Sequence, residues 1–149
     1  MPEPVIENIE ASLLTTLNTI TTDNGFYHSL SWYRAARIDF LDKAPNEFVG
    51  IIRNTDAALA VEPGTLTSEW EQNFELEVIL PEDNTSRAAN RVFSDIQKKI
   101  NTDRTFQSGM LPGSHIDGYT LNSEASRVTI IVNFKVHYRT QFADPETAV

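Results

Sequence analysis

Two stretches decide the fold: Trp70-Glu-Gln-Asn-Phe-Glu-Leu-Glu-Val-Ile-Leu80 and Arg127-Val-Thr-Ile-Ile-Val-Asn-Phe-Lys-Val-His-Tyr-Arg139. Both alternate apolar and polar residues, the period of a strand buried on one side only. In the first, Trp70, Phe74, Leu76, Val78 and Leu80 share a face, and Glu69, Glu71, Glu75 and Glu77 share the other. In the second, Val128, Ile130, Val132, Phe134, Val136 and Tyr138 point one way, and Lys135, His137 and Arg139 the other. The polar faces are thus sorted by sign, acidic on one strand and basic on the other.

The rest of the chain supplies cover for the apolar faces. After Pro4, Ile6, Ile9, Leu13, Leu17 and Ile20 recur at helical spacing, so a first helix is predicted, stopping near Thr21 to Asn24 before Gly25. Residues Ser31 to Phe40 and Phe48 to Arg53 carry the aromatic and β-branched content of strands, with Asp42 to Asn46 as the turn between them. Asn54 to Ser68 is expected to be an adaptable connection, with a short strand at Ala57 to Val61 as an option and a turn at Pro63-Gly64. Thr85 or Ser86 caps a second helix, whose apolar stripe is Ala89, Val92, Phe93, Ile96 and Ile100. Arg104 to Gly118 is expected to be a long loop, Tyr119 to Leu121 a short strand leading through Asn122 to Ala125 into the last long strand, and Thr140 to Val149 a mobile tail. Burying each large side chain of the stripes is worth about 1.5–3 kcal/mol, so both helices are drawn onto the apolar side of the sheet. The expected fold is one α+β domain over residues 1–149: a mixed, mainly antiparallel β-sheet with two α-helices packed on one face and the other face free.

Composition narrows the chemistry. A chain of 149 residues can bury roughly 70% of its unfolded surface as one domain. It has no cysteine, which excludes disulfides, thiolate nucleophiles and cysteine metal sites. The net charge is −9, which opposes non-specific wrapping of nucleic acid. The Met-Pro-Glu-Pro start lacks the pattern of a signal peptide and no apolar run is long enough to span a bilayer, so a soluble protein made in the cytoplasm is expected. His28, His115 and His137 lie far apart in sequence and assemble no zinc-type ligand set; His115 with Asp117 is a weak pair. No nucleophile elbow, phosphate-binding loop or dinucleotide fingerprint is present, so no catalytic residue, metal site or cofactor is expected. Arg87, Arg91 and Lys98 form a basic edge on the second helix, interrupted by Asp95, and are expected to be a solvated face.

The glutamate row is harder to dismiss, because like charges along one strand face repel unless something relieves them. Lys135, His137 and Arg139 offer that relief. If the two strands are neighbours, the pairs close inside one subunit; if they lie at opposite edges, the same pairs can close between subunits arranged in a ring. An ordinary salt-bridged solvent face and a ring interface both remain open at this point.

Element order together with several fragments resembles the phage tail terminator proteins. The fragments are Ile96-Gln97-Lys98-Lys99-Ile100-Asn101-Thr102-Asp103-Arg104-Thr105 leading into a loop with Gly109, and Val136-His137-Tyr138-Arg139-Thr140 followed by Asp144-Pro145. The resemblance implies a virion protein of the tail and neck region: a homo-oligomer, expected to be a hexameric ring, that caps the tail tube protein, ends tube polymerisation and meets the head–tail connector. It also implies helices outside and sheets nearer the lumen, where double-stranded DNA passes without specific binding. On that basis Glu69, Glu71, Glu75, Glu77, Lys135, His137 and Arg139 are expected at the lumen or the subunit interface. Arg104, Gln107, Met110, Leu111, His115 and Asp117 are expected in a docking loop, with the Asn54 to Ser68 connection as a second docking candidate. Another neck component is the neighbouring reading. Two other classes stay in view: a small enzyme using His115 and Asp117, and a ligand-binding module with a pocket bounded by Trp32, Tyr33 and Trp70.

Overall fold

The computed structural model describes residues 3–34, 48–61, 67–80, 86–102, 114–124, 127–141 and 144–148. Within them the chain forms α1 (Val5–Leu17), β1 (Leu30–Arg34), β2 (Phe48–Val61), β3 (Thr67–Leu80), α2 (Ser86–Thr102), β4 (His115–Glu124), β5 (Arg127–Gln141) and β6 (Asp144–Ala148). The strands lie in the order β1-β2-β3-β5-β4, with β6 added to the end of β5. β1 runs parallel to β2 and every other pairing is antiparallel. The expected α+β class is present, a mixed and mainly antiparallel sheet with α1 and α2 sharing one core on one face.

That core follows from the two alternating stretches. β3 and β5 are direct neighbours in continuous register from Thr67↔Gln141 to Leu80↔Val128, which stacks Phe74 on Phe134, Leu76 on Val132 and Val78 on Ile130. Ile9, Leu13 and Leu17 of α1 and Ala89, Val92, Ile96 and Ile100 of α2 bury their stripes against them. α1 ends at Leu17, earlier than predicted, because Asn18 caps it and then latches onto β1: its side-chain oxygen accepts from the Trp32 N–H at 2.9 Å. Ile20 lies beyond the helix yet is fully buried. A 3₁₀ turn over Thr22–Asn24 closes at Gly25 with φ of 89°, a left-handed conformation that glycine adopts without strain.

Two polar clasps tie the layers together. Arg34 at the end of β1 donates to both carboxylate oxygens of Glu7, at 2.6 and 2.7 Å, and also to Glu10. The guanidinium holds the Glu7 carboxyl below the ordinary carboxylate range. Asp95, expected on a solvated face, is buried; its carboxylate accepts the backbone N–H groups of Tyr27 and His28, both at 3.0 Å. Arg91 lies over the Tyr27 ring and Lys98 over Phe26, so the basic edge of α2 packs on the same loop.

Several expectations are corrected. A tight turn cannot join two parallel neighbours, so β1 and β2 are not the hairpin that a turn at Asp42 to Asn46 implies; that segment itself lies outside the described residues. Asn54 to Ser68 is not a connection, since β2 continues to Val61 and β3 begins at Thr67 in a hairpin; Pro63-Gly64 lies outside the described residues. Of the expected loop from Arg104 to Gly118, His115 to Gly118 belong instead to β4, which pairs with β5 as far as Glu124↔Arg127; Arg104 to Gly113 lie outside the described residues. The tail expected to be mobile includes the end of β5 and β6, which pairs through Gln141↔Asp144 and Thr140↔Ala148. Nor is the second face of the sheet wholly free, because Val49, Ile51 and Ile79 form a small buried cluster there.

Two outcomes are expected. A methyl group on Gly50 would run into ring carbons of Trp32, whose indole rests on that glycine. Gly50→Ala should therefore cost about 1–3 kcal/mol of stability and shift the tryptophan emission, measured by urea unfolding followed by fluorescence. Burial pushes the His28 imidazole below its ordinary value of 6.5, with Asp95 opposing and Arg91 assisting. The unfolded chain takes up this proton first, so the stabilising contribution is complete above about pH 6.5 and declines as pH falls below it. His28→Gln should flatten that part of the stability profile, read from urea midpoints between pH 8 and 5.

Candidate functional site

The face of the sheet away from the helices carries the charged residues singled out from the sequence. Because β3 and β5 are neighbours, the relief of the glutamate row is internal to the subunit. Glu69 and Arg139 are directly opposite each other and pair at 3.0 Å. Lys135 reaches diagonally to Glu71 at 2.8 Å, and its ammonium lowers the Glu71 pKa while that carboxylate raises the Lys135 pKa. Glu77 pairs with Arg53 of β2 at 2.7 Å. His137 sits opposite Glu71. Glu75 alone of the four glutamates has no ion-pair partner among the described residues; its neighbours in register are Arg53 and Asn133.

Arg53 and Asp117 complete this surface, and their roles were not apparent in the sequence. Arg53 stands opposite Glu75 yet turns to Glu77. Asp117 lies at the β-bulge between Ile116 and Gly118, where one extra residue of β4 is accommodated against Phe134 and Asn133. Gly118 there has φ of 153°, a backbone that other residues rarely adopt. The bulge brings Asp117 to 3.0 Å from His115 and 3.7 Å from Lys135. It also resets the alternation, so that Tyr119 and Leu121 return to the helix side opposite Val132 and Ile130.

The docking-loop expectation divides. Arg104, Gln107, Met110 and Leu111 lie outside the described residues. His115 and Asp117 belong to a strand, not a loop, and are about half exposed. The stacked rings of His115 and His137 have centroids 6.4 Å apart. Among the described residues no group of three or more histidines and carboxylates is placed to hold a metal ion. The helices described are too short or too polar to cross a membrane.

The pocket imagined for a ligand-binding module does not assemble. Trp32 is buried on Gly50 near the start of β2, whereas Trp70 stands opposite Leu59 towards its far end, and Tyr33 is exposed. Trp70 instead lines an open apolar pocket of about 210 Å³ with Ile6, Ala57, Tyr138 and Pro145. That volume is below the roughly 300–1,000 Å³ typical of small-molecule sites.

The arrangement can therefore present a charged, internally paired surface; its chemistry is electrostatic. No protein-family model matches this chain, and no curated protein matches its sequence.

Ion pairing makes the glutamates unequal. Glu75→Gln should change stability by less than about 0.5 kcal/mol, since it breaks no ion pair among the described residues. Glu71→Gln should lower the melting temperature and move the Lys135 titration downward, with Asp117 still holding part of the upward shift, followed by NMR.

Proposed function

We propose that this chain is a structural subunit of a tailed bacteriophage virion, forming a ring that caps the tail tube, ends its polymerisation and joins tail to head. The observation that carries this reading is the placement of both helices on one side of a long sheet whose other side is charged and internally paired. Such a layered subunit can turn helices outward and the charged strands toward a lumen, the arrangement implied by the tail terminator resemblance. Among the described side chains of this face, Glu69, Glu71, Glu75, Glu77, Asp56 and Asp117 outnumber the full cations Arg53, Lys135 and Arg139, so this part of the surface stays acidic after pairing. An acidic wall repels the phosphate backbone and lets double-stranded DNA pass without binding. The tail tube protein and the head–tail connector are the partners of the two rims.

The test is mass in solution and negative-stain electron microscopy, with and without tail tubes. Rings, or caps on tube ends, are expected. A monomer that ignores tubes at high concentration would overturn the reading, and binding to connectors alone would move it to another neck component. Within rings, Glu75→Lys is the informative charge reversal, because it leaves Lys135 and Arg53 with their partners. It should reduce DNA delivery, measured as infectivity of assembled particles, and leave ring formation intact.

A further inference from the structure

We infer that the two open edges of this sheet, Asn54–Leu59 of β2 and Tyr119–Asn122 of β4, are the complementary halves of one interface between copies of this chain. Among the described residues β1 pairs with β2 from Phe48 to Ile52, and past Ile52 β2 has β3 on one side and no described strand on the other. All of Asn54–Leu59 is exposed. Among the described strands β4 pairs with β5 alone, and all of Tyr119–Asn122 is exposed. An open edge offers unpaired N–H and C=O groups, which proteins ordinarily guard with lysine, proline or an inward charge. Neither stretch contains lysine, arginine or proline; a β-bulge at Thr55 guards the start of the first, and Asp56–Leu59 beyond it is in regular register with β3.

The directions and the faces agree. Successive antiparallel pairings from β2 through β3 and β5 leave β4 running opposite to β2. Rotation about an axis along the strands preserves strand direction, so it brings the β4 of one copy antiparallel beside the β2 of the next. In the register that sets Leu59 opposite Tyr119, Ala57 falls opposite Leu121, both pairs on the helix side. Leu59, Tyr119 and Leu121 are 43%, 42% and 44% exposed, so each has apolar surface to lose. The apolar pocket beside Ala57, lined by Trp70 and Tyr138, is placed to receive Leu121. On the charged side the same register sets Ala58 opposite Thr120 and Asp56 opposite Asn122, whose amide can donate to that carboxylate. No like charges meet. The contact is head-to-tail, a geometry that closes into rings or continues as filaments; closure rests on the proposed function, whereas the edge pairing does not.

Because the chain has no cysteine, engineered thiols report the contact without background. Directly opposed residues in antiparallel strands bring their Cβ atoms to about 4.5–5.5 Å, near enough for a disulfide with small adjustments. Ala57→Cys and Leu121→Cys proteins, each checked for fold by circular dichroism, are mixed and oxidised, and Ala58→Cys with Thr120→Cys forms a second pair that retains Leu121. Disulfide dimers are expected only in the mixtures, and higher covalent multimers in the double variants. Disulfides formed by a single variant alone would mean a symmetric edge contact and overturn the inference. Rings seen by microscopy with no disulfide from either pair would overturn the edge pairing and leave the ring reading standing. Cross-linked open filaments would uphold the pairing and remove the ring. Absence of both assembly and disulfides would overturn both.

Discussion

The structure depends on the antiparallel pairing of β3 with β5. Its register runs without a shift from Thr67↔Gln141 to Leu80↔Val128, and both sides of the sheet are defined by it. With a side-chain period of two, a slip by one residue would carry the glutamates into the core and Phe74, Leu76 and Val78 into water. Burial sets the energy: Phe74, Leu76, Val78, Ile130, Val132, Phe134 and Val136 are all essentially inaccessible. The ion pairs on the opposite face are partly exposed and screened, so they add less stability than they add specificity of register.

The other elements are fitted to this pair by a few directional contacts. α1 is held to β1 by the Arg34 clasp on Glu7 and Glu10 and by the Asn18 latch on Trp32. α2 is held to the loop ahead of β1 by the buried carboxylate of Asp95. Trp32 can lie flat on β2 only because position 50 carries no side chain. These contacts gather the helices on one side of the sheet and fix β1 beside the first half of β2, and among the described strands the far half of β2 and the outer side of β4 are left as edges.

Periodicity made the central strands and both helices legible, since each buries a regular stripe of large apolar residues. It reached the outer half of β2 only as the optional strand at Ala57 to Val61: Asn54-Thr55-Asp56-Ala57-Ala58 lacks large apolar residues and is held by pairing with β3, helped by the Thr55 hydroxyl donating to the Asn73 carbonyl at 3.1 Å. The start of β4 was hidden for a different reason, because the bulge at Asp117 breaks the alternation at that point. The parallel placement of β1 depends on strand order, which no local pattern encodes. The same limit applied to the charged face. Glu69, Glu71, Lys135 and Arg139 were legible as opposing rows, whereas Arg53 and Asp117 joined the network only through the neighbours that the topology gave them. Asp95 followed the pattern of a solvated helix residue until the loop at Tyr27 and His28 covered it.

A fold with its charges spread along one face and two strand edges left without a described partner suits the assembly between copies proposed above. The central claim, that assembly uses these edges, is tested most directly by amide hydrogen exchange at low and high protein concentration. Slow exchange in β3 and β5 at every concentration is expected, together with protection appearing at 54–59 and 119–122 only when the protein assembles. Assembly that protects another face while these edges continue to exchange freely would contradict the account.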